Sequence, residues 1–283
     1  NNLKQWGLVY KMYANEAGGR YPHLQVGRFY RWNGQKYPSP IEALAIGPQT
    51  TSIYPEYMTD MNIMFCPSDE DQPGAVMKNS DGTIGNPITL PKNIDASYCY
   101  LGWTFDRIDK AFVPIETYPM ITSLIGLLGG AAPTGFEVPV QLAAALNDAF
   151  DTATMQAYMQ HNGTELMRLA DQDRDISDQT FGEGNGNGGG NTVYRLREGI
   201  ERFLITDINN PGGGAMAQSG LFIMMDELGT GKGAHKFNHI PGGCNVLYMD
   251  GHVEFIKYVN SDSATPPVTP AIATVVGGLS SGN

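Results

Sequence analysis

Thirty-five glycines and eighteen prolines in a chain of 283 residues set the tightest limit on what this sequence can fold into. Glycine loses more backbone freedom on ordering than any other residue, and proline removes a donor and breaks a helix interior. A helical bundle needs long uninterrupted turns, so this density of breakers predicts a loop-rich α+β or mainly β protein. Apolar residues still make up 41% of the chain, enough to bury a core in one elaborated domain or two modest ones. The formal net charge of −11 opposes phosphate backbones, and no Lys/Arg cluster interrupts it, so nucleic acid is not an expected partner. No apolar run reaches the ~18 residues of a membrane span. The opening Asn1-Asn2-Leu3-Lys4-Gln5 has neither the basic start nor the apolar stretch of a signal peptide. An acidic balance with many Gly, Asn, Ser and Thr residues suits an exported protein.

The clearest helical signal is at the beginning. Leu3, Trp6, Val9, Tyr10 and Tyr13 recur at intervals of three and four and line one side of a helix over residues 2–16, which Gly18-Gly19 and Pro22 end. With only Asn1 or Asn2 to cap it, this helix reads as the tail of a longer one. Residues 20–67 read as packed irregular loop, with a short helix at 40–45 and an extended stretch at 62–66. A strand ending at Cys66, turns over 68–95 and a strand near 97–103 would place Cys66 and Cys99 on neighbouring strands. There they would form a disulfide in an oxidising compartment, with free buried thiols as the alternative; Cys244 is then single.

Residues 138–170 carry Val140, Leu142, Ala143, Leu146, Ala149, Phe150, Ala153 and Ala157 at helical spacing, with a second short helix over 164–170. Gly182–Gly190 reads as a flexible surface loop, and Thr192 as the cap of a helix through Tyr194, Leu196, Ile200, Phe203 and Leu204 whose Arg195, Arg197, Glu198, Glu201 and Arg202 face water or pair. Leu221–Met225 is a compact strand. Residues 245–258 alternate around Asp250-Gly251, which predicts a hairpin with a two-residue type I′ turn. The Ser, Thr, Pro, Ala and Gly of 261–283 read as a tail.

Asn1 to Leu8, with Tyr10, Tyr13 and Arg20-Tyr21-Pro22, resembles the segment after the membrane helix in type IV pilin-like proteins. Phe237-Asn238-His239-Ile240-Pro241-Gly242-Gly243-Cys244-Asn245, running on to Asp250-Gly251-His252-Val253, is similar to the signature of a pseudopilin group in which a His precedes an Asp-Gly hairpin. Phe65-Cys66-Pro67-Ser68 and the stretch from Tyr194 to Phe203 resemble the same group. Ten residues separate His239 from Asp250, one more than is usual there, and Cys244 stands where a small residue is common. The resemblance implies an α+β fold: a truncated pilin-like helix (1–19) on an antiparallel sheet, a head with inserted helices and long loops (20–260) and a tail (261–283). It implies a structural subunit rather than an enzyme, one that self-assembles with its own copies or other pilin-like subunits into a filament or type II secretion pseudopilus. It also implies a site outside the cytoplasm, with the membrane reached only through a helix that precedes this sequence. An extracellular adhesin module that recognises a polysaccharide or surface is the rival reading.

Two clusters invite chemistry. His235, His239 and His252 fall near Asp226, Glu227, Asp250 and Cys244, which suggests metal or hydrolytic chemistry, yet no base with an orienting partner is identifiable. The bland reading is that Asp250 makes the turn while His239 and His252 brace it. Asp171, Asp173, Asp175 and Asp178 resemble the start of an oxygen-donor calcium loop, though Ile176 stands where that loop wants Gly and Gly182 where it wants Glu. A solvated acidic loop is the alternative. Calcium is the one ion implied, and no other cofactor is expected.

Overall fold

The computed structural model describes residues 1–31, 39–69, 77–79, 82–127, 131–204, 218–229, 237–239, 242–261 and 263–280. The protein is α+β, built around a four-stranded antiparallel sheet. Its strands are β3 (Tyr98–Tyr100), β8 (Phe222–Asp226), β9 (Gly243–Tyr248) and β10 (Val253–Lys257), in the order β10-β9-β8-β3. Side chains alternate across a strand, so the sheet separates two apolar layers. Tyr98, Tyr100, Ile223, Met224, Leu247 and Met249 face one layer, while Cys99, Phe222, Met225, Cys244, Val246, Tyr248 and Ile256 face the other. Ile223 and Met224 are consecutive yet share a face, because the β8–β9 register shifts between Phe222 and Met224.

The first layer is covered by α1 (Asn2–Glu16). Leu3, Trp6, Val9, Tyr10 and Ala14 form its buried stripe, as the three-and-four spacing predicts. Trp6 and Tyr10 are 0% exposed, and Tyr10 stacks on Tyr100 with ring centroids 5.1 Å apart. The helix comes close enough that a Cβ at Gly7 would stand 3.3 Å from Leu247. It stops where the Gly19 N–H turns back to the Ala14 carbonyl at 2.8 Å. The second layer is helical. It contains α3 (Pro119–Leu127), α4 (Val140–Ala149) and α7 (Pro270–Ser280), with the small antiparallel pair β4 (Phe112–Pro114) and β5 (Glu137–Pro139) beside them.

Outside the sheet, β1 (Leu24–Arg31) and β2 (Ser39–Pro48) pair antiparallel. The single-turn α2 (Thr50–Ile53) follows β2, and α5 (Thr152–Met159) and α6 (Gly163–Ala170) run between α4 and the two-residue strands β6 (Arg174–Asp175) and β7 (Thr192–Val193).

Several expectations are corrected. The segment 40–45 is strand, not helix, because Pro40 sits near the start of β2, where a missing donor is tolerated, and Ala43 and Ala45 are buried across from β1. Residues 61–64 form a 3₁₀ turn capped by Asp60 instead of an extended stretch. The helix expected after Thr192 is instead β7, two isolated bridges (Trp103 to Arg195, Arg20 to Arg197) and a 3₁₀ turn at Ile200–Phe203. Gly182–Gly190 is pinned: the Asn187 Nδ2 donates to Asp106 Oδ1 at 2.7 Å and to the Thr104 carbonyl at 2.9 Å, and the Gly188 N–H donates to Asp106 Oδ2 at 3.0 Å. The expected tail contains α7, whose Ile272, Val275, Val276 and Leu279 lie in the core.

The hairpin after β9 is also of another kind. Its loop is Met249-Asp250-Gly251, with Gly251 alone at positive φ (89°) and its N–H bonded to the Tyr248 carbonyl. This three-residue loop with a left-handed final glycine replaces the two-residue turn expected.

Candidate metal centre

His239, expected to brace the hairpin, does something else. The Gly242 N–H bonds to the His239 carbonyl at 3.0 Å, and His239 bridges to Gly243, so the chain folds His239 back over the start of β9. A Cβ at Gly243 would fall 2.0 Å from the Phe255 ring. The absent side chain therefore lets Phe255 of β10 lie across β9. That ring meets the imidazole edge-on, centroids 6.0 Å apart and planes at 88°. Gly242 and Gly243 of the expected turn thus position His239, while Pro241 and His235 lie outside the described residues.

The imidazole Nε2 faces three groups. Asp226 Oδ2, at the end of β8, is 3.0 Å away; Asn245 Nδ2 is 2.9 Å away; and Cys66 Sγ, just after the 3₁₀ turn, is 3.6 Å away. Cys66, Asp226 and His239 offer ligand atoms that all lie within 4.8 Å of one another, and they form the one such group of three among the described residues. Asn245 holds the carboxylate in place, donating to Asp226 Oδ2 from its backbone N and from Nδ2, both at 2.7 Å. Burial pushes the Asp226 carboxyl above its usual range against the pull of the Asn245 hydrogen bonds and His239. Burial likewise raises the Cys66 thiol, opposed by hydrogen bonding to Ser68. Asp226 and Cys66 are buried, and His239 opens to solvent with its side chain 26% exposed.

The arrangement does not suit a Cys–His–Asp relay. In such a relay the nucleophile and the orienting carboxylate occupy opposite ring nitrogens. Here sulfur and carboxylate both approach Nε2, a convergence on one point in space.

The other expected sites are placed apart. Asp250 Oδ1 pairs with His252 Nδ1 at 2.5 Å at the exposed hairpin tip, where the His252 ring stacks on Tyr248. Hydrogen bonding and charge from His252 outweigh burial and hold the Asp250 carboxyl below its usual range. The four aspartates of the expected calcium loop do not converge. Asp171 pairs with Arg20 (3.1 Å) and Arg195 (3.3 Å), Asp173 accepts from the Arg195 N–H (2.7 Å) and lies 3.5 Å from Arg197, Asp175 caps the Ser177 N–H, and Asp178 accepts from Gln179. Arginines thus partner Asp171 and Asp173, while backbone and amide donors partner Asp175 and Asp178.

The expected disulfide is absent as well. Cys66, Cys99 and Cys244 are all free. Cys66 packs in the α1 layer and Cys99 points into the helical layer, so β3 stands between them. A separate cleft lies between the β4–β5 pair and the approach to α7, lined by Phe112, Phe136, Asp109, Glu137 and Pro266.

No described helix is long and apolar enough to cross a membrane. Compared with protein-family models, with curated proteins and with solved structures, the chain matches none.

Proposed function

We propose that this protein is the head of a pilin-like structural subunit that works outside the cytoplasm, assembling with copies of itself or with other pilin-like subunits into a filament or type II secretion pseudopilus. In this reading its work is done by shape and repetition, not catalysis. The observation that carries the reading is α1: one flank is buried on an antiparallel sheet, while Leu8 and Met12, one turn apart on another flank, remain 62% and 40% exposed. Large apolar side chains exposed together on a helix favour burial against a neighbour, and a repeated head offers the same patch on every copy.

Electron microscopy of the native material, from cells making the natural subunit or Leu8→Lys with Met12→Lys, tests this. Fibres are expected from the natural subunit and not from the double variant, whose folding should be unchanged by circular dichroism because both positions face solvent. Undiminished fibres from the double variant would remove α1 as the assembly face. A natural subunit that forms no fibres but binds polysaccharide would replace this reading with an adhesin, and the cleft with Phe112, Phe136, Asp109 and Glu137 would be its first candidate surface.

A further inference from the structure

We infer that Cys66, Asp226 and His239 bind a zinc-class divalent cation. The inference stands on the geometry of the three side chains and is independent of the filament reading. A tetrahedral zinc with Zn–S of about 2.3 Å and Zn–N and Zn–O of about 2.0 Å holds its sulfur and nitrogen about 3.5 Å apart and its nitrogen and oxygen about 3.3 Å apart. The corresponding separations here are 3.6 Å and 3.0 Å. A soft thiolate and a borderline imidazole beside a single hard carboxylate select zinc over calcium or magnesium, which prefer all-oxygen sets.

The surroundings are those of a supported site. Asn245 orients the carboxylate through two hydrogen bonds, and Phe255 stands edge-on to the imidazole. Such outer contacts fix ligand geometry before the metal arrives. A water admitted beside the partly exposed His239 completes four-coordination. Binding exchanges the Cys66 thiol proton for the metal and releases it to solvent, with no change of oxidation state.

The ligands come from three separate parts of the chain: the segment after Met61–Met64, the end of β8, and the turn before β9. That first segment also grips the start of α1, through the Trp6 Nε1–H to the Ile63 carbonyl at 3.0 Å and the Asn2 Nδ2–H to the Phe65 carbonyl at 2.7 Å. A cation at this point ties the support of α1 to the sheet.

The test uses the full chain, stripped with chelator and titrated with zinc by calorimetry, and separately with cobalt(II) followed by absorption. One zinc per chain is expected, with a thiolate-to-cobalt charge-transfer band. Cys66→Ser and His239→Ala should each weaken zinc binding by more than about 100-fold, while Cys99→Ser, on the other side of the sheet, leaves it unchanged. Failure to take up zinc overturns the inference, as does equal affinity in Cys66→Ser. The cobalt band is read on the natural sequence and needs no variant to fold: cobalt bound without that band removes Cys66 as a ligand.

Discussion

At the scale of single residues, environment decides more than residue type. Arg195 reads from the sequence as one of several charges that face water or pair, and it pairs while only 3% exposed. Its guanidinium donates to the carbonyls of Gly102 and Tyr21 and pairs with Asp171, and it lies with Arg174 against the Trp103 ring. Nothing in the local pattern 192–204 could reveal this, because the partners come from residues far away in the chain. His23 sits beside the same group, bonded to the Leu24 carbonyl at 2.8 Å. Burial lowers its pKa against the pull of that bond, and the Arg195 charge adds to the lowering. The unfolded chain therefore takes up a proton at His23 more readily than the folded one. Its contribution to stability is whole above the ordinary histidine value of about 6.5 and shrinks as pH falls through that value towards the lower folded one. Replacing His23 by Gln is expected to flatten the loss of stability between about pH 7.5 and about pH 5.5 in urea denaturation. Parallel curves for the two proteins would show that the folded-state shift is absent.

At the scale of elements, strong periodicity was legible and compositional bias misled. The stripe Leu3, Trp6, Val9, Tyr10 gives α1 directly, and the alternation around Asp250-Gly251 gives β9 and β10. The Ser, Thr, Pro and Ala of 261–283 obscured Ile272, Val275, Val276 and Leu279, whose three-and-four spacing marks α7 as plainly as any helix in the chain. Glycine density likewise suggested a free loop at 182–190, where the decisive partner is Asp106. Its carboxylate collects Gln141 Nε2 at 2.8 Å as well as Asn187 and Gly188. Asp106→Ala leaves the Gly188 N–H and the Gln141 amide without this acceptor and Asn187 with the Thr104 carbonyl alone, and should cost about 1–3 kcal/mol. Hydrogen exchange should then accelerate at 186–190 before it does in the sheet; unchanged protection there would mean that the loop is held by other contacts. The candidate metal centre was legible only in pieces. Cys66 stood out as a disulfide partner, His239 as part of a signature and Asp226 as a nearby acid. Cys66 and His239 are 173 residues apart in sequence, and only the order of strands brings them together.

At the scale of the molecule, the sheet divides the interior into an apolar layer under α1 and a second apolar layer among the helices. The last described helix belongs to the second layer, and that has a measurable consequence. Val276 is 0% exposed, so Val276→Asp buries an unpaired charge and should destabilise the whole protein by about 3 kcal/mol or more. A neutral result in thermal and urea unfolding would mean that 270–280 is dispensable and that the helical layer closes without it.

The contacts of Asn2 and Trp6 with the carbonyls of Phe65 and Ile63 also fix how this molecule would carry load. Traction on the first turn of α1 passes straight into the 3₁₀ turn and the residues up to Cys66, and from there to β8 and β9 through the side chains of Asp226 and His239. One corner thus serves as both handle and rivet, and its mechanical strength depends on how firmly three side chains hold one another.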